Sequence, residues 1–172
     1  MNLKGTYTEK NLITAIQGEA LAHFKYQIYA SLLGKESKDV ENRINEIAHN
    51  EKEHGKVWKK ALLGDDYYDN KKNLLDAIDG ELHEHKEMYP EFARIAREEG
   101  FDEIADLFEK VADIEGHHAM EFKNILNKDI NNIHSKHILY KCLNCGYIYQ
   151  GDEAPQVCPV CQHPHNYFVR VD

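Results

Sequence analysis

Two Glu-x-x-His pairs, Glu51/His54 and Glu115/His118, lie on helical stripes that are otherwise apolar, and no other feature restricts the fold as much. The pattern alone is cheap, because 18 Glu and 11 His in 172 residues supply roughly one such pair by chance. The chain holds a third, Glu46/His49, and periodicity separates them. Val40, Ile44, Ile47, Glu51, His54, Trp58 and Ala61 recur at the three-and-four spacing of one buried face, with Trp58 as core. Ile104, Phe108, Val111, Glu115, His118, Phe122 and Ile125 make the second face, while Glu46 and His49 fall off the first and read as solvated. A carboxylate buried on such a stripe without a partner costs several kcal/mol. Neither stripe carries a Lys or Arg, so the expected partner is a metal cation.

Around these pairs the chain reads as four long amphipathic helices. Thr8 caps the first, whose inner stripe is Leu12, Ile16, Glu19, Ala22 or His23, Tyr26, Ala30 and Leu33, ending near Gly34. Ser37 or Asp39 opens the second, which closes at Gly64, and residues 64–73 have turn composition and read as a loop. The third carries Leu74, Ile78, Glu81, Glu84 or His85, Met88, Phe92 and Ala96, is bent by Pro90 and ends at Gly100. Asp102 caps the fourth, which runs to about Asn127. The expected architecture is mainly α, a four-helix bundle.

A weak internal repeat runs through it. Glu19 precedes Glu51-x-x-His54 by 32 residues and Glu81 precedes Glu115-x-x-His118 by 34. Each half is one helix with a Glu followed by one with Glu-x-x-His, the inventory of the ferritin-like di-iron carboxylate site. Spacing leaves Glu84 open between a ligand one turn from Glu81 and part of a solvated acidic strip with Glu87 and Glu91. Tyr26 and Tyr89 lie on inner faces, where a phenol either donates to a ligating carboxylate or packs as core. His117, about 100° around the helix from His118, is expected to face outward.

All four cysteines fall between residues 142 and 161, as Cys142-Leu-Asn-Cys145 and Cys158-Pro-Val-Cys161. Two Cys-x-x-Cys loops at this spacing make a tetrahedral four-thiolate metal site, with iron and zinc both open. Tyr140, Tyr147, Ile148, Tyr149, Phe168, Val169 and Val171 flank Gly and Pro, as short strands around a metal site do. Residues 128–139 are polar and aperiodic, a linker, so the expected division is a helical domain over 1–134 and a small β domain over 135–172.

Charge and hydropathy narrow the class of function. The net charge of −9 is concentrated before residue 135, which argues against nucleic acid or anionic lipid as a partner. No apolar run is long enough to span a membrane, Met1 to Lys10 has no signal-peptide core, and the expected location is the cytoplasm.

The motifs resemble those of the rubrerythrin family over nearly the whole chain. Gly18-Glu19, Glu51-Lys-Glu-His54, Gly80-Glu81-x-x-Glu84 with Met88-Tyr89-Pro90, Ala96-Arg97-Glu98-Glu99-Gly100 and Glu115-x-x-His118 look like its bundle motifs. Cys142-x-x-Cys145-Gly146-Tyr147-x-Tyr149, Ala154-Pro155 and Cys158-Pro159-x-Cys161 resemble a rubredoxin. The resemblance implies a ferritin-like bundle with two iron ions held by Glu19, Glu51, His54, Glu81, Glu84, Glu115 and His118, with Tyr26 and Tyr89 in supporting positions. It implies a rubredoxin-like domain with one iron, replaceable by zinc, on Cys142, Cys145, Cys158 and Cys161. It also implies a peroxidase of oxidative stress defence that reduces hydrogen peroxide to water, with electrons relayed through the four-cysteine iron from a reductase or rubredoxin fed by NAD(P)H. A homodimer in which the rubredoxin-like domain of one subunit approaches the di-iron site of the other is implied as well. A ferroxidase explains the bundle but leaves the four-cysteine tail without a role. A non-enzymatic redox sensor requires a recognition surface that the sequence does not display.

Overall fold

The computed structural model describes residues 3–33, 37–127 and 138–171. It divides into two compact units, Met1–Asp69 and Asn70–Asp172. The boundary expected near residue 134 and the helix end expected at Gly34 lie outside the described residues.

The first unit is a helical hairpin of α1 (Tyr7–Ser31) and α2 (Lys38–Leu63), followed by a 3-10 turn over Gly64–Tyr68. The N-cap of α1 is Thr6, not Thr8: Glu9 N–H donates to Thr6 Oγ1 at 3.1 Å and Gly5 N–H donates to Glu9 Oε2 at 2.6 Å. Thr6-x-x-Glu9 is a capping-box sequence and the better start signal. The loop expected over 64–73 is shorter than its composition implied, because the 3-10 turn leads directly to a helix at Asn70.

The second unit contains α3 (Asn70–His83), a π-helical turn over Glu84–Met88, α4 (Tyr89–Glu98) and α5 (Asp102–Asn127). Pro90 acts through that turn. Having no N–H, it cannot continue the α-helical ladder, and Tyr89 N–H instead reaches back five residues to the carbonyl of Glu84. Gly100, at φ +85°, ends α4, with Phe101 N–H closing on the Ala96 carbonyl at 2.8 Å. Ala93, Ala96 and Ala105 pack with Phe108 where α4 meets α5, and Tyr89, Phe92 and Phe108 form an aromatic cluster with centroids 5.6–6.2 Å apart.

A three-stranded antiparallel sheet, order β2-β1-β3, completes this unit: β1 (Leu139–Cys142), β2 (Ile148–Gln150) and β3 (Phe168–Arg170). Tyr140 pairs with Tyr149 on one side and with Arg170 on the other. The sheet lies against α5, where Lys141 pairs with Glu121.

The helices bury few large side chains. Ala30 is the buried residue of α1 and Ala48 that of α2. Val40, Ile47 and Trp58 of the α2 stripe remain 54%, 39% and 38% exposed, so Trp58 is not core within this chain. Ile104 and Ile125 of the α5 stripe are exposed in the same way.

Candidate metal centres

Three clusters of ligand-type side chains form among the described residues. In the first hairpin, Glu19 on α1 meets Glu51 and His54 on α2, with His54 Nδ1 2.9 Å from Glu51 Oε2 and 3.8 Å from Glu19 Oε2. In the second unit, Glu81 on α3 meets Glu115 and His118 on α5, with His118 Nδ1 2.7 Å from Glu115 Oε2 and 3.5 Å from Glu81 Oε2. The two triads repeat each other atom for atom in kind, as the internal repeat predicts.

The repeat extends to a pair of contacts that spacing left open. His23, four residues after Glu19, donates its Nδ1–H to the Ala48 carbonyl at 2.7 Å, and His85, four after Glu81, donates to the Ala112 carbonyl at 2.7 Å. Each acceptor lies three residues before the Glu of the following Glu-x-x-His, so the bond pins the depth of one helix against the other beside the ligands. The matching offset Glu-x-x-x-His in both halves is the sequence signal for it. Gly116 admits the His85 ring, since a Cβ there would stand 3.0 Å from it.

The electrostatics call for a cation. Glu81 Oε2 is buried and has no hydrogen-bond partner. Burial and then the neighbouring Glu115 carboxylate raise the Glu81 pKa above the usual range, partly offset by His118. A chain that collects carboxylates where they repel one another stores that repulsion for a bound cation, and oxygen-rich sets with one imidazole suit iron or manganese. Beside the triad, a cleft of about 290 Å³ is lined by Glu81, His118, Glu121, Phe122 and Ile125.

Glu84 is not within the triad. It starts the π turn, is half-buried, and raises the pKa of Tyr89 together with Glu115 and Glu81, after burial as the main cause. The neighbouring acids behave as surface: Glu87 lies 3.2 Å from His83 and Glu91 2.7 Å from Arg94. Tyr89 therefore stands among the carboxylates, whereas Tyr26 is half-buried with its ring 6.3 Å from that of Tyr29. His117, expected to face outward, lines a cleft with Tyr147 and Ile148 of the sheet domain.

The third cluster is Cys142, Cys145, Cys158 and Cys161. Sγ separations of 3.7 Å for Cys142–Cys161 and 3.6 Å for Cys145–Cys158 match the roughly 3.8 Å edge of a tetrahedron with metal–sulfur bonds of about 2.3 Å. Two equivalent knuckles hold them, Gly146 N–H to Cys142 C=O at 2.8 Å and Gln162 N–H to Cys158 C=O at 3.0 Å. Both donors sit at positive φ, +78° and +59°. Burial pushes the Cys145 and Cys158 thiols up. Burial also acts on Cys161, but the His163 backbone N–H and neighbouring thiols outweigh it and bring that thiol down to about 6.

Gly146 connects the tail to the second triad. A Cβ on it would lie 2.6 Å from His118 Nε2 and 3.3 Å from Ile114 Cγ2, so its backbone rests on the imidazole edge opposite the carboxylates. This contact lies within one chain.

The rubrerythrin family model matches residues 10–126, and its rubredoxin-like domain model matches residues 140–169. The chain is 38% identical to a rubrerythrin of Nitratidesulfovibrio vulgaris, covering 97% of this chain and 95% of that one. It is 37% identical to rubrerythrin-1 of Clostridium acetobutylicum over the same shares. Nigerythrin of N. vulgaris is 29% identical over 94% of this chain and 85% of the relative. With a Glu, Glu, His triad repeated in its two helical hairpins and a four-thiolate knuckle pair in its tail, the chain belongs to the rubrerythrin family.

Proposed function

We propose that the protein is a non-haem di-iron peroxidase that reduces hydrogen peroxide to water in oxidative stress defence, working as a cytoplasmic homodimer. Glu19, Glu51, His54, Glu81, Glu84, Glu115 and His118 hold two iron ions in one site, and Cys142, Cys145, Cys158 and Cys161 hold a third. The helical domain extends over 1–134 and the rubredoxin-like domain over 135–172. A paired ferrous site supplies two electrons together to peroxide, which avoids releasing a hydroxyl radical, and the thiolate iron supplies electrons singly.

The observation that carries this reading is the contact of Gly146 with His118. His118 turns Nδ1 to the carboxylates and Nε2 to the backbone one residue after Cys145, so one imidazole is both ligand and neighbour of the thiolate centre. A storage protein has no use for that juxtaposition. Tyr89, held neutral by burial and by Glu84, Glu115 and Glu81, keeps a phenolic proton beside the carboxylates for donation to a ligand or to peroxide oxygen. An NAD(P)H-linked reductase or a free rubredoxin delivers electrons to the tail.

Turnover tests it. With NADH, a rubredoxin reductase and rubredoxin, the iron-loaded protein is expected to consume one NADH per peroxide, and Glu115→Ala to abolish consumption. Iron oxidation without catalytic turnover in the wild type would reject the peroxidase in favour of the ferroxidase.

A further inference from the structure

We infer that the Lys141–Glu121 ion pair is a clasp that seats the four-cysteine tail on α5, which makes Lys141 and Glu121 positioning residues for the tail's contact with His118. The role of this seating in the relay rests on the reading proposed above, but the seating itself is measurable with neither peroxide nor iron.

The clasp joins fixed parts of both partners. Lys141 lies on the central strand β1, its backbone paired with Ile148 of β2 and with Val169 of β3. The next residue is the fully buried Cys142, whose N–H donates to the Tyr147 carbonyl at 2.8 Å and whose own carbonyl accepts from Gly146 N–H. A pull on Lys141 therefore reaches the metal-binding knuckle within one residue. On α5, Ile114, His118 and Glu121 follow one another by four and then three residues and share a face, with Glu121 about 4.5 Å along the axis from His118. The tail meets that face at Gly146, on His118 and Ile114, and at Lys141, on Glu121. One contact leaves the tail free to pivot, whereas two fix its direction along the helix.

Packing between the sheet and α5 is open. His117, Met120 and Ile148 line two clefts there, of about 380 Å³ and about 340 Å³, and Met120 remains 54% exposed. The Gly146 contact is van der Waals and carries no charge, so the ion pair supplies the directed attraction. Its side chains are 25% and 38% exposed, and a pair so placed shifts the ratio of seated to released tail by only about 2- to 5-fold. Glu121 also lines the cleft beside Glu81 and His118, where Lys141 neutralises a carboxylate that otherwise adds to the repulsion at the triad.

The test follows the full-length, ¹⁵N-labelled protein with zinc in the four-cysteine site by NMR relaxation. In the wild type at low salt, the tail amides are expected to relax with those of α5 as one body. Lys141→Glu and Glu121→Lys are each expected to lower the seated ratio by about 5-fold or more and give the tail faster motion of its own. The double variant carrying both substitutions is expected to restore the wild-type behaviour, and raising salt to about 1 M to loosen the wild type. Unchanged zinc content in every variant separates release of the tail from its unfolding. A tail that moves with α5 equally in the wild type and both single variants, or a double variant without rescue, would overturn the inference. So would unchanged tail motion with bundle iron lost in both Glu121→Lys and the double variant, which would make Glu121 a metal ligand instead. In the iron-loaded protein, return of the thiolate-to-ferric band after peroxide is expected to slow in the single variants and recover in the double. No return in the wild type would sink the peroxidase reading and leave the relaxation result to decide the clasp.

Discussion

Glu81 shows how a single side chain carries both cost and purpose. Its pKa is raised in the folded chain, so as pH rises through that value ionisation costs the fold stability that the unfolded chain does not lose. Glu81→Gln is accordingly expected to raise the melting temperature of the metal-free protein at neutral pH by about 2 °C, the scale of a sub-kcal/mol change in a chain this size. The gain should vanish in acid below the usual glutamate range, and the variant should lose bundle metal. Thermal scans at the two pH values check this, and an equal gain at both would contradict the ionisation account. Gly146 and Gln162 hold equivalent knuckle positions at positive φ, and Gly146 also packs on the His118 imidazole. Gln162→Gly is expected to change tail stability by less than about 1 kcal/mol. Gly146→Ala is expected to displace the tail from His118 and slow tail-supported peroxide turnover by about 10-fold or more, in line with the steep cost of ångström displacements. Equal effects of the two variants on turnover would mean that the contact has no role in the relay. The sequence marked the candidate ligands because stripes interrupted by acid are rare. It did not declare Gln162, since nothing in its neighbours marks a left-handed residue.

At the scale of elements, helix faces were legible and helix ends were not. The stripes of α2 and α5 placed Glu51, His54, Glu115 and His118 correctly on shared faces with Glu19 and Glu81. Composition points to Thr8 because cap residues are common, and only the Glu9 contacts in the structure mark Thr6 as the cap. Pro90 announced a disturbance, but whether a helix answers by bending or by a π turn depends on packing, here the aromatic cluster that holds Tyr89. The histidine straps follow the repeat: His23→Ala and His85→Ala are each expected to cost about 1 kcal/mol by removing one side-chain hydrogen bond between neighbouring helices, measured by urea unfolding. Loss at one site but not the other would show that the halves are not equivalent. In the tail, Cys161, brought down to about 6, is half ionised near that pH, whereas Cys145 and Cys158 must surrender protons to bind metal. Zinc affinity of the apo tail is thus expected to rise from about pH 6 to about pH 8, with proton release on binding. A flat profile would contradict the assignment.

For the molecule as a whole, the sequence carried the inventory and left the assembly open. Two Glu, Glu, His triads and a four-thiolate tail were readable from spacing, and among the described residues no helix is long and apolar enough to cross a membrane. That the tail rests on His118 of its own chain was not readable, since it depends on a single glycine approaching an imidazole edge. Nor was the 3-10 turn over Gly64–Tyr68, because turn composition does not distinguish a loop from a tight helical turn. The central claim joins these parts: peroxide is reduced at the carboxylate site with electrons drawn from the tail. Anaerobic stopped-flow tests it most directly. The fully reduced, iron-loaded protein is mixed with one equivalent of hydrogen peroxide per di-iron site and the visible thiolate-to-ferric band of the tail is followed. The account predicts rapid return of the band, lost in Glu115→Ala although that variant keeps its tail iron. A band that stays bleached in the wild type would contradict it.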